Sequence, residues 1–412
     1  MTAAAVPIKA KKASGRRLWW VVHQWVGLKL SLFLAFILFT GTLAVLSAEI
    51  DWLLHPTLRV VPSSVEGPPR WDLIAENAAR YPDVATINYI ARPTARAFAA
   101  RVAFQRTDES RGYLHVHPIT GRVQGEQDFV DSQRVLRNLH RHLNLPTKYG
   151  IPIVASLSIL LLVSVATSFV VYRKWWRGFF KPIRWRDART AWGDFHRLAG
   201  VWSLWFVALI ALTGLWYLVE TLGGDAPDLP EPAGEIAALP PANSAIGAAD
   251  ALAASLAAVR RADPALEIES VQFPDDKSGA FVFQGQRSAW MVRPRANAVW
   301  VDAATARVAM TSDGGGLGVH QRISEMADPL HFGTFAGYWT RIPWFLFGLL
   351  MTGLALSGSA IYSHRIGHSA RAAIVERPIW NGMWRGTGRW RWLSAALIAT
   401  GAVMIGWMFY KG

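Results

Sequence analysis

Five runs of 18 to 22 residues without a charged side chain dominate this 412-residue sequence. A membrane-spanning helix needs about 20 largely apolar residues. The first run exceeds the hydrophobic region of a cleaved signal peptide, which is about 7–15 residues long, so we interpret it as a retained signal anchor. We therefore predict a membrane α-helical fold with five transmembrane helices, at Leu30–Ser47, Ile151–Tyr172, Leu198–Val219, Ile342–Tyr362 and Trp392–Tyr410.

The charged residues between these runs predict the orientation of the helices. Residues 1–29, 173–197 and 363–391 together carry 20 basic and three acidic side chains, whereas the long segments 48–150 and 220–341 carry 22 basic and 26 acidic ones. Because basic segments remain cytoplasmic, we expect the N-terminus inside and both long segments and the C-terminus outside. A net charge of +14 could suggest a nucleic-acid-binding protein. Only 17% of the residues are charged, however, against about 25% in soluble proteins. We therefore expect a lipid bilayer as partner and no nucleic acid.

The sequence also indicates an internal duplication. His23 and Gly27 match His196 and Gly200, and a Thr-Gly pair follows each histidine at the same spacing, at 40–41 and at 213–214. The second and fourth helices correspond as well, since a Leu-His pair precedes each of them (139–140 and 330–331) and a tyrosine ends each of them. The predicted unit is a helix, an external module and a helix, used twice, with the fifth helix outside the repeat.

Each long external segment has the pattern of a small α+β module. A helix-like stretch, Trp71–Arg80 or Ala249–Arg261, precedes runs that alternate between apolar and polar residues. Such alternation predicts strands. We expect strands at Thr86–Ile90, Ala97–Phe104 and Gly112–His117 in the first segment, and at Glu267–Phe273, Ala280–Gln284, Ala289–Val292 and Val299–Asp302 in the second, with residues 222–248 as a linker.

The chain contains no cysteine, which excludes disulfides, cysteine-ligated iron–sulfur clusters and covalently attached haem. Any redox cofactor must therefore be held by other side chains. His23 and His196 lie near the cytoplasmic ends of their helices, and His140 and His331 lie just outside the external ends of theirs. Two pairs at two depths suit two haems b with two histidine ligands each. The alternative is that these histidines are amphipathic interface residues that bond to the backbone.

Other side chains compete for these roles. His142 is two residues from His140, and His364 lies at the inner end of the fourth helix, so both are alternative haem ligands. The basic run Arg173–Arg189 suits lipid headgroups or an acidic electron-carrier protein. Motifs for nucleotide binding, metalloproteolysis and serine hydrolysis are missing from the sequence, so no catalytic residue beyond the haem ligands is expected.

The chain resembles the PepSY-associated transmembrane helix family, iron-regulated inner-membrane proteins of bacteria. The resemblance covers nearly the whole chain and is carried by VHQWVGLKLSLFLAFILFTGTL, LHRHLNLP, WGDFHRLAGVWSLWFVALIALTGLWY and DPLHFGTFAG. It implies that the external segments are PepSY-like modules. Some members are di-haem ferric-siderophore reductases of the FoxB type, and the family histidines fall on His23, His140, His196 and His331.

The function that this resemblance implies is electron transfer across the bacterial inner membrane. An unidentified cytoplasmic donor would supply electrons, and a ferric siderophore would be reduced in the periplasm, because Fe(II) is held less tightly than Fe(III) by hard oxygen donors. The alternative is a non-enzymatic PepSY protein that binds or regulates a peptidase or another envelope partner. A permease is less well supported, because the runs contain no pair of broken half-helices.

The expected domain boundaries follow from these segments. Residues 1–48 form the basic N-terminus and first helix, 49–139 the first module, 140–173 the second helix segment, 174–191 a basic cytoplasmic loop, 192–220 the third helix, 221–330 the linker and second module, 331–363 the fourth helix segment, 364–391 a second basic loop and 392–412 the fifth helix.

Overall fold

A computed structural model describes residues 15–61, 67–232, 236, 245–275, 277–369 and 379–411. The described chain forms two compact units. The first unit lies within Met1–Phe39, Ala155–Leu215 and Leu346–Thr400, and the second lies within Thr40–Val154, Trp216–Phe345 and Gly401–Gly412.

Long apolar helices account for all five of the charge-free runs. Four of them, Thr147–Val171, Ala188–Gly224, Tyr338–His364 and Trp390–Tyr410, are each long and apolar enough to cross a membrane. The first of these spans consists of two helices, α6 (Thr147–Ala155) and α7 (Leu157–Val171). The other three contain α8 (Ala188–Val219), α11 (Tyr338–Ser369) and α13 (Trp390–Lys411). A fifth span exists if the bent pair α1 (Gly15–Lys29) and α2 (Ser31–Val45) crosses as one. The sequence did not predict this 64° bend, which lies at Leu30, the first residue of the first charge-free run.

The first unit packs its helices through small polar and aromatic contacts. Ser359 on α11 donates a hydrogen bond to Ser31 on α2 over 2.6 Å, and both side chains are buried. Trp25 on α1 meets Trp390 on α13 edge to face, with ring centroids 6.2 Å apart. Helix α1 also packs along α7, where Arg16 donates to the last carbonyl of that helix. A short helix, α12 (Ile379–Gly386), belongs to the same unit.

The second unit contains an antiparallel sheet of eight strands in the order β4-β3-β2-β1-β5-β6-β7-β8. The first external segment supplies α4 (Trp71–Ala79), β1 (Val84–Ala91), β2 (Ala100–Arg106), β3 (Arg111–Val116) and β4 (Val123–Asp128). The second supplies α9 (Ala245–Ala262), β5 (Glu267–Gln272), β6 (Ala280–Gln286), β7 (Ala298–Asp302) and β8 (Val308–Ser312). The two sets of strands meet in register at the centre, where Ile90 of β1 pairs with Val271 of β5.

One apolar core lies between α4, α9 and one face of this sheet. Ile74 and Leu252 from the helices pack with Phe104, Phe281 and Phe283 from the strands, and none of these side chains is more than 1% exposed. Such a core is typical of helices that cover an antiparallel sheet on one face.

Helices α3 (Ser47–Leu54) and α5 (Ser132–His142) are bound to each other in the same unit. The buried carboxylate of Asp51 on α3 accepts hydrogen bonds from the first two backbone N–H groups of α5, at 2.9 and 3.2 Å. These N–H groups have no partner within their own helix, so Asp51 fixes α5 and the histidines at its end. Helix α10 (Val319–Phe332), also in the second unit, carries His331.

Two predictions about the external segments need correction. Ala289–Val292 is not a strand, because its apolar residues pack into a local cluster with Ala296 in a turn region. The predicted linker 222–248 ends earlier, because α9 begins at Ala245; residues 233–235 and 237–244 of that linker lie outside the described residues. Strands β4 and β8 are additional to the prediction.

Candidate functional site

The first unit holds His23 and His196, each with a hydroxyl group on the same ring nitrogen. His23 on α1 places its Nδ1 2.8 Å from Oγ1 of Thr167 on α7. His196 on α8 places its Nδ1 2.8 Å from Oγ of Ser357 on α11. The two imidazoles are near enough to interact electrostatically. Four helices of one unit thus position a histidine pair and its two partners.

The hydroxyl groups favour one tautomer of each histidine. Thr167 donates its own hydroxyl hydrogen to the carbonyl of Val163 over 2.7 Å, and Ser357 donates to the carbonyl of Leu354 over 3.0 Å. Each oxygen is therefore left to accept a hydrogen bond from Nδ1–H of the histidine. In that tautomer the lone pair of Nε2 is available, and a histidine ligand of a metal usually donates its other ring N–H in this way.

The sequence analysis missed Thr167 and Ser357. Each lies five residues before the tyrosine at the end of its helix, at Tyr172 and Tyr362. The duplicated pattern therefore contained the signal. A hydroxyl in a spanning helix usually bonds to its own backbone, however, and gave no reason to choose these two.

Space beside the inner histidines suits a flat group. Gly27 and Gly200 each follow their histidine by four residues, which is about one helical turn. A Cβ atom added at Gly27 would meet nothing within 4 Å, and one at Gly200 would meet only Leu354, at 3.6 Å. Gly214 differs, because a Cβ there would come within 3.2 Å of Ser158. Gly214 thus serves helix packing, whereas Gly27 and Gly200 leave room for a haem.

The second unit brings His140 and His331 together. His140 lies in the last turn of α5 and His331 in the last turn of α10, with ring centroids 6.1 Å apart and planes inclined by 40°. At this separation both imidazoles could bind the iron of one haem. Gly41 permits the position of His140, since a Cβ atom there would lie 2.5 Å from Cε1 of the imidazole. The residues present therefore fit a haem at this pair too.

Polar groups on α8 and α10 surround His331. The ring of Tyr217 packs edge to face on His331 at 5.3 Å, and its hydroxyl donates to Asp328 over 2.7 Å. Arg293 bonds to both Asp328 and the buried Glu325. Burial, followed by the neighbouring His140, lowers the pKa of His331 to about 4, although Asp328 opposes this shift. The imidazole is therefore neutral at pH 7, as a metal ligand must be.

His142 and His364, the two alternative haem ligands, lie outside these two pairs. His142 is two residues from His140 on α5, and side chains at that spacing point to different faces of a helix. Its Nδ1 is buried and has no hydrogen-bond partner in the described part of the chain. The same is true of Nε2 of His364, near the end of α11. Within the described ranges, no three His, Asp or Glu side chains are grouped to hold a metal ion, so the two histidine pairs are the candidate sites.

Comparison with known proteins adds one positive finding. The family described as the PepSY-associated TM region matches residues 20–365. This range includes all four paired histidines, together with Thr167 and Ser357. A search of curated proteins finds no match to the chain.

Proposed function

The chain belongs to the PepSY-associated transmembrane family, and from this premise we propose that it is a di-haem ferric-siderophore reductase of the bacterial inner membrane. The observation that carries the proposal is the presence of two histidine pairs in a chain of four or five apolar helices, one pair with adjacent rings and the other with a hydroxyl partner on each imidazole. Haem b at these pairs would supply one-electron carriers.

The residues of the chain have distinct roles in this proposal. His23 and His196 would hold the inner haem, with Thr167 and Ser357 orienting their imidazoles. His140 and His331 would hold the outer haem. Two histidine ligands leave no open coordination position, so these sites favour electron transfer over oxygen activation. One electron from a cytoplasmic reductant would reduce one Fe(III) of the chelate to Fe(II), and the chelate would release the Fe(II).

We propose the topology on the charge distribution of the sequence. The basic segments would be cytoplasmic, together with the N-terminus, and the sheet and the C-terminus would be periplasmic. We also propose that the two external segments are PepSY-like modules that arose by duplication. Each supplies one helix and then four antiparallel strands, and the order of the strands is mirrored about the β1–β5 contact.

Haem stoichiometry tests this proposal directly. The purified protein should show a Soret band and two haems per chain, falling to one in His23→Ala, in His196→Ala, in His140→Ala and in His331→Ala. His142→Ala is the matched control and should keep two haems, since His140 is the residue that faces His331. A second test is Gly27→Leu, which fills space that is open in the protein and should remove only the inner haem.

The same preparation tests the alternative function. A colourless protein from haem-replete cells would contradict the reductase and favour a PepSY protein that binds an envelope partner through its sheet. The electron-transfer step is measured separately, by reduction of the haems with dithionite, addition of a ferric chelate without oxygen, and trapping of the Fe(II) that is released.

A further inference from the structure

The segment that connects α7 to α8 in the first unit folds back along the first turns of α8. We call this segment, residues 172–187, the return loop. Trp202 on α8 donates a hydrogen bond from its indole nitrogen to the carbonyl of Phe179 over 3.0 Å. Arg197, also on α8, donates to the carbonyl of Lys181 over 2.8 Å. Because side chains of a long helix hold its backbone carbonyls, the return loop has a fixed position beside that helix.

An aromatic layer forms where the return loop meets Trp202. The rings of Phe179 and Phe180 both pack edge to face on Trp202, at 5.5 and 6.1 Å. Trp202 lies four residues inside the charge-free run that begins at Leu198, within a helix that is long and apolar enough to cross a membrane. Phe180 is nevertheless 88% exposed in the protein, and Trp176 is 57% exposed. Aromatic side chains exposed at this depth are suited to contact with lipid.

A basic layer lies nearer the end of α8. Arg197 and Asp194 precede Trp202 by five and eight residues, which correspond to about 8 and 12 Å along the helix axis. These two side chains hold the part of the return loop that contains Lys181 and Arg184. The aromatic end of the loop therefore lies deeper in the predicted span than its basic end.

The cations of this region outnumber the acids that could neutralise them. Arg184 and Arg197 both bond to Asp194, and Asp187 accepts a hydrogen bond from the backbone N–H of Thr190 at the start of α8. Six further basic side chains are exposed and form no ion pair among the described residues, namely Arg173, Lys174, Arg177, Lys181, Arg186 and Arg189. Exposed cations beside a membrane span attract anionic headgroups.

The order of the two layers distinguishes a lipid from an acidic protein as the partner. A soluble acidic protein would meet the basic layer from water, but it would not reach Phe180 at the depth of Trp202. A bilayer contacts both layers, because acyl chains surround the deeper aromatic side chains while phosphate groups lie beside the cations.

We propose that the return loop is a binding surface for anionic phospholipids, such as phosphatidylglycerol, in the leaflet next to the basic segments. Trp176 and Phe180 lie among the acyl chains, and the exposed cations, including Lys181 and Arg186, bind the headgroup phosphates. This surface is independent of the proposed haem sites, so its test does not depend on the reductase.

The depth of the loop can be measured with single spin labels, because the chain contains no cysteine of its own. Phe180→Cys and Trp176→Cys each provide one site for a nitroxide in the full chain, reconstituted into vesicles of phosphatidylcholine and phosphatidylglycerol. Both labels should be relaxed by oxygen, which concentrates in lipid, and protected from a water-soluble nickel chelate. Arg260→Cys is the control, since Arg260 is exposed on α9 of the second unit, and its label should respond to the nickel chelate.

Lipid selectivity is measured by native mass spectrometry of the solubilised chain with equal amounts of phosphatidylglycerol and phosphatidylcholine. The anionic lipid should be retained with about fivefold preference. Lys181→Gln combined with Arg186→Gln should lower this preference. Arg260→Gln combined with Arg261→Gln removes the same charge from α9 and should leave it unchanged.

Labels at positions 176 and 180 that respond to the nickel chelate as strongly as the control would place the loop in water and overturn the proposal. Equal retention of the two lipids, or a preference that the double variant of the loop does not change, would also overturn it. If poly-L-glutamate shields labels that are otherwise exposed to water, the surface binds an acidic protein and the lipid proposal is wrong.

Discussion

The hydroxyl partners of the inner histidines give the most direct test of the proposed haem site. Thr167→Val keeps the shape of the side chain and removes the acceptor of the hydrogen bond from Nδ1 of His23. Thr167 is fully buried, so no water replaces the lost oxygen. An unpaired buried donor costs about 1–3 kcal/mol.

This cost determines the expected change in haem affinity. Loss of a hydrogen-bond partner of a metal-bound histidine lowers metal affinity by about 10–100-fold, which agrees with the upper part of that free-energy range. The imidazole also becomes a weaker donor to iron, which destabilises Fe(III) more than Fe(II). The midpoint potential of the inner haem should rise by about 30–60 mV, since a tenfold difference corresponds to about 59 mV for one electron.

Haem titration into apo-protein and spectroelectrochemistry of the loaded protein measure these two quantities. Thr167→Ser and Ser357→Thr keep the hydroxyl and should restore both values, whereas Ser357→Ala should resemble Thr167→Val. Thr352→Val is the matched control, because Thr352 donates only to its own helix, at the carbonyl of Gly348. If Thr167→Val binds haem with unchanged affinity and potential, the hydroxyl does not orient a ligand and the reasoning fails.

Three further predictions concern the second unit. Gly41→Ala should displace the imidazole of His140 and lower haem content to about one per chain, whereas Gly406→Ala, which has open space around it, should not. Burial, then Arg101 and His55, lowers the pKa of His115 on β3 to about 3 from 6.5. Between pH 7 and pH 5 the imidazole is therefore protonated in the unfolded chain and neutral in the folded protein. The free energy of unfolding should fall by about 2 kcal/mol over this range. His115→Gln should flatten this pH dependence in thermal unfolding. Arg341→Met leaves the partly buried carboxylate of Glu49 with only Tyr338 as a partner and should cost about 1–3 kcal/mol, with a smaller loss of unfolding temperature in Arg341→Lys.

Local patterns in the sequence predicted the apolar helices well. A charge-free run of about 20 residues inside a membrane must pair its own backbone N–H and C=O groups, and a helix does this within one segment. Strand β4 escaped prediction for the opposite reason. Its sequence, from Val123 to Asp128, is mostly polar and lacks the alternation of apolar residues that predicts a strand. It lies at the edge of the sheet, where polar side chains are common. The pairing of β1 with β5 could not be predicted from local patterns either, because the paired residues are about 180 positions apart in the sequence.

The histidine pairs show both the strength and the limit of the duplication as a guide. It indicated His140 and His331, which the structure brings to a centroid distance of 6.1 Å. It could not separate His140 from His142, because the choice depends on which face of α5 turns toward α10. It also could not show that Gly41 contacts an imidazole while Gly214 contacts Ser158, since equivalent positions need not have equivalent neighbours.

The two pairs differ in the charge around them, and this difference would matter for electron flow in the proposed reductase. Neutral hydroxyls support His23 and His196, whereas the carboxylate of Asp328 lies one turn before His331. An isolated carboxylate there would favour Fe(III) and hinder electron delivery to the outer site. Asp328 is not isolated, because Tyr217 donates to one of its oxygens and Arg293 to the other. In the proposed reductase, this network would offset the negative charge beside the outer haem and so favour delivery of an electron to it.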